Sequence, residues 1–282
     1  MSTVDIDDLR RWIRNEQRAS DIVTPGLAER FEATLGHSAY RGAAAAPLAI
    51  HWCLAPPAVQ PDELGPDGHP ARGGFLPPVP LPRRMWAGGA LSFHAPLPIG
   101  AEVTRNSRIA DIVHKTGRSG ELVFVTIEHD FDCDGRTVIS ERQDIVYRGA
   151  PSTAPATPGQ PGSPAPLPAA EHTETVEATT TLLFRYSALT FNGHRIHYDV
   201  DYARDEEGYP GLVVHGPLQA TLMLHLGARL AGRSPRSFSY RGLSPLFHGG
   251  PFTVNAVRSG DGLDLWCADG HAARTMIASF VF

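Results

Sequence analysis

The sequence predicts an α+β protein in two similar halves, each an antiparallel sheet curled around a helix. Three observations carry that reading. Residues 151–170, PSTAPATPGQPGSPAPLPAA, hold seven prolines and no charged or aromatic residue, so they read as a solvated, semi-extended linker. Runs of β-branched and aromatic residues separated by turn signals follow in both halves. The segment GPLQATLMLHLGARLA at 216–231 repeats Leu218, Leu222, Met223, Leu226 and Leu230 at helical spacing, with further apolar residues between them, which predicts a helix buried on nearly all sides. The linker divides the chain into 1–150 and 171–282, each large enough for a core.

The first half opens with helical signals. Asp5, Asp7 and Asp8 stand where a first helical turn favours negative charge, ahead of Leu9, Trp12 and Ile13. A second helix is expected from Pro25 to about Leu35, with Thr24 as N-cap and Pro25 at the first helical position. Residues 51–84 are rich in Pro and Gly and read as loop. The pattern turns to β from Leu91, with strands over 103–113, 121–132 and 137–148 and turns at Gly117–Gly120 and Asp134–Gly135. In the second half TVEATTTLLFRYSAL (175–189) reads as a strand. The long helix follows, and then strands in RSFSYRGL, PFTVNAVRSG, LDLWCAD and ARTMIASFVF.

Composition excludes several classes. Lys+Arg 25 against Asp+Glu 30 gives a net charge of −5 without a basic cluster, which argues against phosphate-backbone binding. No apolar run reaches the roughly 20 residues of a membrane helix, and the first residues lack the apolar core of a signal peptide. Cys53, Cys133 and Cys267 form neither a CxxC pair nor an even disulfide set, so a reduced, cytoplasmic setting is expected. No G-x-S-x-G, GxGxxG or GxxxxGK[ST] motif occurs, which removes serine-hydrolase, dinucleotide and NTP chemistry.

Chemistry concentrates between Tyr186 and Ala203. Asn192, His194, His197, Asp199 and Asp201 fall within ten residues. Downstream, Gly216 and Pro217 mark the start of the buried helix, where unpaired backbone N–H groups and the helix dipole suit an oxygen gaining negative charge. A base beside such an oxyanion site is what proton abstraction next to a carbonyl requires.

Residues 191–203, FNGHRIHYDVDYA, resemble the hydratase motif of the MaoC-like, R-specific enoyl-CoA hydratases, G-D-x-N-P-[LI]-H followed by D-x-x-[YF]-A. Ile196 and His197 match, and Asp199, Tyr202 and Ala203 keep the register. Phe191 stands at the Gly, Asn192 at the Asp, His194 at the Asn and Arg195 at the Pro. The variant form resembles a subgroup of 3-hydroxyacyl-thioester dehydratases and mesaconyl-CoA hydratases, as do RRMWAGG (83–89), HKTGRSGELVFV (114–125) and ERQDIVYR (141–148) in the first half. The resemblance implies a double hot-dog fold, two antiparallel sheets each wrapped around a long helix and joined. It implies reversible addition of water to an α,β-unsaturated acyl thioester, on CoA or a carrier protein, without a cofactor or metal. His197 carries over as the base and Gly216 as the backbone oxyanion donor.

Asn192 departs from the motif, because an amide cannot accept a proton. It reads either as the group orienting water or His197, or as a turn residue ahead of Gly193. Asp199 is the alternative carboxylate. His197 is expected to work near the ordinary histidine pKa of about 6.5. His194, Arg195, His215, Arg241, Lys115 and Arg118 are candidate substrate contacts, the last two and Arg241 for CoA phosphates. His194 also reads as a loop histidine, His215 as a packing group at the helix start, and Gly117–Gly120 as a plain hairpin. Arg83, Arg84 and Trp86 belong either to the acyl channel or to the interface between halves. A metal set of His194, His197, Asp199, His215 and His225 is disfavoured, because His-x-x-His lacks the spacing of a helical zinc motif. Only one half carries the motif, so the first half is expected to shape the acyl pocket without catalytic residues. Self-association is expected. A thioesterase and a non-catalytic acyl-CoA binding protein are the competing readings.

Overall fold

A computed structural model of the chain describes residues 4–40, 42, 45–117, 120–149 and 169–282. Arg118 and all but the last two residues of the Pro-rich linker lie outside them.

Asp5 caps a short helix, α1 (Ile6–Leu9), by accepting from the amides of Asp7 and Asp8. A 3₁₀ turn over Arg10–Trp12 follows, and then strand β1 (Glu16–Ile22). That strand is polar and exposed, which left no hydrophobic alternation to reveal it. Thr24 caps α2 (Pro25–Leu35), whose Phe31 and Leu35 are buried. The Pro/Gly-rich stretch is loop as expected, but strand β2 (Arg83–Phe93) begins eight residues before Leu91, behind glycines that hide its pattern. Strands β3 (Glu102–Gly117), β4 (Gly120–Cys133) and β5 (Arg136–Arg148) agree with the sequence.

The segment read as one strand at 175–189 is corrected by the structure. Strand β6 covers His172–Glu177, and helix α3 covers Thr180–Thr190. Its β-branched run favours a strand. However, the Thr179 hydroxyl caps the Leu182 amide, and Leu183, Tyr186 and Ser187 bury one helical face against α2. Helix α4 (Gly216–Ala231) ends at Gly232 in the left-handed region, φ 67°. Strands β7 (Ser237–Gly242), β8 (Pro251–Ser259), β9 (Gly262–Ala268) and β10 (Arg274–Val281) complete the chain.

The strands form one antiparallel sheet of ten in the order β1-β3-β4-β5-β2-β7-β10-β9-β8-β6. The halves join where β2 pairs with β7, Gly88 opposite Arg241 and Gly89 opposite Tyr240. A side chain at Gly88 would stand 2.6 Å from the Tyr240 carbonyl, and one at Gly89 2.7 Å from the Tyr240 hydroxyl, so both positions must lack a Cβ. The sheet wraps α4, which touches β2, β7, β8, β9 and β10. One apolar core runs through both halves, from Phe31 and Leu91 to Leu222 and Phe280.

The interior also holds neutral histidines. Burial pushes His51 and His215 down to about 3 and His129 and His225 to about 4, lowers His197 well below 6.5, and lowers the half-buried His69 at the cavity wall to about 3.

Two predictions follow from packing and burial. In α4 a Cβ at Gly227 would meet the buried Phe280 ring at 2.5 Å. Gly227→Ala should therefore destabilise by ~1–3 kcal/mol through overpacking, against the usual gain of about 0.5–1 kcal/mol for Gly→Ala in a helix, read from urea unfolding. The histidines titrate near pH 6.5 when unfolded, but only well below that when folded, so the unfolded chain binds more protons in between. Stability should thus fall as pH drops from about 6.5 towards 4. Glu141, raised to about 7 by burial, opposes this as one group against six. A urea midpoint at pH 5 equal to that at pH 7.5 would contradict neutral burial.

Candidate active site

Helix α3 stops at Phe191, which takes the left-handed conformation at φ 50°. The Asn192 Oδ1 then accepts the His194 amide at 3.0 Å, turning the chain into the 3₁₀ turn Arg195–His197. Arg195 holds the far side of this turn. Its Nε and Nη2 donate to Asp199 Oδ2 at 3.0 and 2.8 Å, Nη1 donates to the Pro66 carbonyl, and the guanidinium lies 4.1 Å over the Tyr202 ring. Asp199 also accepts the Tyr202 amide. Both residues are thus engaged in shaping the loop.

The turn delivers the buried His197 ring to the start of α4. Its Nδ1 donates to the Val213 carbonyl at 2.7 Å, which leaves Nε2 unprotonated and without a protein partner among the described residues. The ring stacks on His215 at 3.6 Å and meets His194 edge-on at 5.5 Å. Burial, then the neighbouring His215 and His194, holds the His197 pKa far under the ordinary value expected from the sequence. His215 in turn hydrogen-bonds Ser187 through Nε2 at 2.8 Å.

Gly216 is the first residue of α4, directly after His215. Its amide donates to no protein group among the described residues. Pro217 has no N–H, so Gly216 presents the foremost amide of the helix tip. A Cβ there would sit 3.6 Å from the Trp86 carbonyl and from Met276 Cε, an ordinary contact.

His197 and Gly216 open onto one cavity of about 1510 Å³. Phe184, Phe191, Tyr198 and Leu243, all exposed, form an apolar lip. Arg84 and Trp86 line the wall, whereas Arg83 lies at the junction of the halves, paired with the buried Glu207 at 3.4 Å. Lys115 and Arg241, expected as substrate contacts, are exposed and are not among the residues lining the cavity; the Lys115 ammonium lies 5.1 Å from the Phe124 ring.

Two groups from the first half, one reaching the cavity through His69 with Asp67 behind it, were missed in the sequence. Asp67 and His69 sit on the loop before β2. This loop docks on the motif backbone to backbone: a Cβ at Gly68 would strike the Gly193 carbonyl at 2.0 Å, and the Arg195 amide donates to the Asp67 carbonyl at 3.0 Å. The His69 ring lies 4.2 Å from His194, and its Nδ1 is 3.0 Å from Asp67 Oδ2. Asp67, His69 and His194 each bring a potential metal-ligand atom within 4.8 Å of the others. The set imagined from the sequence is not assembled, since His225 bonds Tyr40 and Leu48, and Asp199 bonds Arg195.

The second group lies deeper. Glu141 accepts from the Trp52 indole at 2.9 Å, and the His51 ring is 3.7 Å from the same carboxylate. Arg105 lines this end with its Nε unpartnered. ERQDIVYR contained Glu141, but no local spacing tied it to residues 36 to 90 positions away.

Comparison with known proteins agrees with this geometry. The family described as "Hydroxyacyl-thioester dehydratase type 2" matches residues 49–248. The chain is 44% identical over 264 residues to the mesaconyl-C(4)-CoA hydratase of Chloroflexus aurantiacus, covering 92% of both chains. Among solved structures, a MaoC-like dehydratase from Phytophthora capsici superposes with a TM-score of 0.71 at 15% identity, over 99% of this chain and 98% of that one. A Mycobacterium tuberculosis protein described as a double hotdog fold gives 0.55 at 14% identity, over 95% of each. The fold is therefore the double hot-dog, and the chain belongs to the hydroxyacyl-thioester dehydratase type 2 family.

Proposed function

We propose that the chain is a hydro-lyase that reversibly adds water across the α,β double bond of an acyl-CoA thioester at the His197–Gly216 junction. The observation that carries this reading is an unprotonated, unpartnered imidazole nitrogen stacked beside the free tip of a buried helix in one cavity. The thioester carbonyl docks on the Gly216 amide, where the helix dipole favours the enolate oxygen. Water docks on His197 Nε2 and attacks C3, and its proton is held by imidazole until it returns to C2. Asn192 fixes the turn that presents His194 and His197.

A short, carboxylated enoyl-CoA is the proposed substrate, as in the Chloroflexus relative's name. Arg105 supports it. Its guanidinium is largely desolvated; Nη2 donates to the Ala55 carbonyl at 2.9 Å, Nε has no partner, and Glu141 acts on its charge from beyond ion-pair distance. An alkyl end would leave the free Nε without a partner, whereas a carboxylate would pair with it. We extend the proposal to a reducing, cytoplasmic setting, in keeping with three buried, unpaired cysteines, and to a homo-oligomer, since β1 and β6 leave open sheet edges. A monomer mass by light scattering would refute the last point.

Crotonyl-CoA or mesaconyl-CoA mixed with the protein should lose enoyl-thioester absorbance without releasing thiol. Free thiol would indicate a thioesterase, and binding with neither signal a non-catalytic protein. His197→Ala should lower kcat by ~10²–10⁴-fold. Gly216→Pro, which removes the amide, should cost ~10²–10³-fold, while Gly216→Ala should stay near wild type. Arg105→Gln should raise KM for mesaconyl-CoA and leave crotonyl-CoA unaffected; equal effects on both would remove the carboxylate assignment.

A further inference from the structure

We propose that Asp67 and His69, from the first half, form the second proton-handling group of the active site, replacing the carboxylate absent at position 192. The inference rests on the hydratase reading above and refines where the proton is held.

The other candidates are occupied. Asn192 carries an amide whose oxygen is taken by the His194 N–H. Asp199 serves Arg195 and the Tyr202 amide. Glu207 is paired with Arg83 and stays 3.9 Å from His194. Glu141 sits 3.7 Å from His51, beyond hydrogen-bond reach. Among the described imidazoles lining the cavity, only His69 is hydrogen-bonded to a carboxylate.

The pair is also held in place. Asp67 Oδ1 accepts the His69 amide at 3.0 Å while Oδ2 meets the ring nitrogen, so one carboxylate fixes both backbone and ring. Gly68, at φ 84°, lets the loop press against Gly193, which fastens the pair to the motif itself. His69, His194 and His197 then form a row, with ring separations of 4.2 and 5.5 Å.

Charge decides which imidazole keeps the proton. A proton on His197 Nε2 would face two neighbouring imidazoles and the positive end of α4. A proton on His69 Nε2 would have a carboxylate on the opposite ring nitrogen. Burial opposes ionisation of Asp67, but hydrogen bonds from the His69 ring and amide, with the Arg84 charge nearby, outweigh it and hold the carboxyl below its usual range. Burial, with Arg84 and His194 nearby, lowers His69 to about 3 against the pull of Asp67, so the resting ring is neutral.

The step balances without a co-reactant. As the water oxygen, held by His197, bonds to C3, the C2–C3 π pair becomes a C1–C2 double bond and the carbonyl π pair moves to oxygen as an enolate. The released proton passes to His69 Nε2. When the carbonyl re-forms, the imidazolium returns that proton to C2. Dehydration runs the same path backwards.

The test is steady-state kinetics on crotonyl-CoA and mesaconyl-CoA with Asp67→Asn, His69→Gln, Asn192→Asp and the double variant His69→Gln/Asn192→Asp. Each of the first two should lose ~10²-fold in kcat with KM within about threefold. Asn192→Asp should restore at least tenfold of the His69→Gln loss, because it returns a carboxylate to the motif. Thermal unfolding identifies any variant that has not folded, and the remaining one of the first two then carries the test. Unimpaired kcat in both, a change in KM alone, or no rescue would overturn the proposal. So would loss of wild-type activity on chelation with recovery on added zinc, since Asp67, His69 and His194 would then be ligands. Wild-type protein inactive on every enoyl-CoA would instead sink the hydratase reading.

Discussion

Pairing of β2 with β7 is the contact on which the rest depends. Each half alone would expose an edge of unpaired backbone groups and half of a cavity. Gly88 and Gly89 let the strands close while the Tyr240 side chain lies across them, where any Cβ would strike Tyr240 or the Arg142 carbonyl. The same closure carries the Trp86 carbonyl up to Gly216 and sets the first half's loops over the second half's motif. The site is therefore a property of the joined sheet rather than of either half.

Its electrostatics follow from the burial of its imidazoles. Buried imidazoles rest neutral, and the reaction must create an enolate and an imidazolium together. Opposite charges formed close together beside buried groups attract each other, which favours making them as a pair. The helix tip favours the anion but works against a cation stacked next to it. A fixed negative charge on the far side of the histidine row resolves that conflict, and Asp67 is placed there by a loop whose backbone cannot move without displacing Gly193.

Much of this was legible in the sequence, for identifiable reasons. Helix α4 and strands β3 to β5 are long and strongly patterned, so their periodicity survives in one dimension. His197 and Gly216 were visible because a motif and a Gly-Pro helix start are local signals. Helix α3 was misread because its threonines favour strands, while a single cap and a packed face decide its structure. Strand β1 was silent because an exposed edge needs no alternation. Asp67 and His69 lay in a stretch whose prolines and glycines announce loop and nothing more. They meet His194 only through a docking more than 120 residues long in sequence, and no local spacing encodes it.

That long-range docking bears on how a duplicated fold divides its work. The first half lacks the hydratase motif, which invites reading it as scaffold alone. Yet its chain lines much of the cavity onto which His197 opens, and its loop touches the motif through main-chain atoms as well as side chains. Backbone contacts tolerate change in most side chains but not the addition of one, which is why Gly68 and Gly193 face each other. A half that has lost its own motif can thus still govern the chemistry of its neighbour, because the position of the shared loop depends on packing and not on a second copy of the catalytic residues.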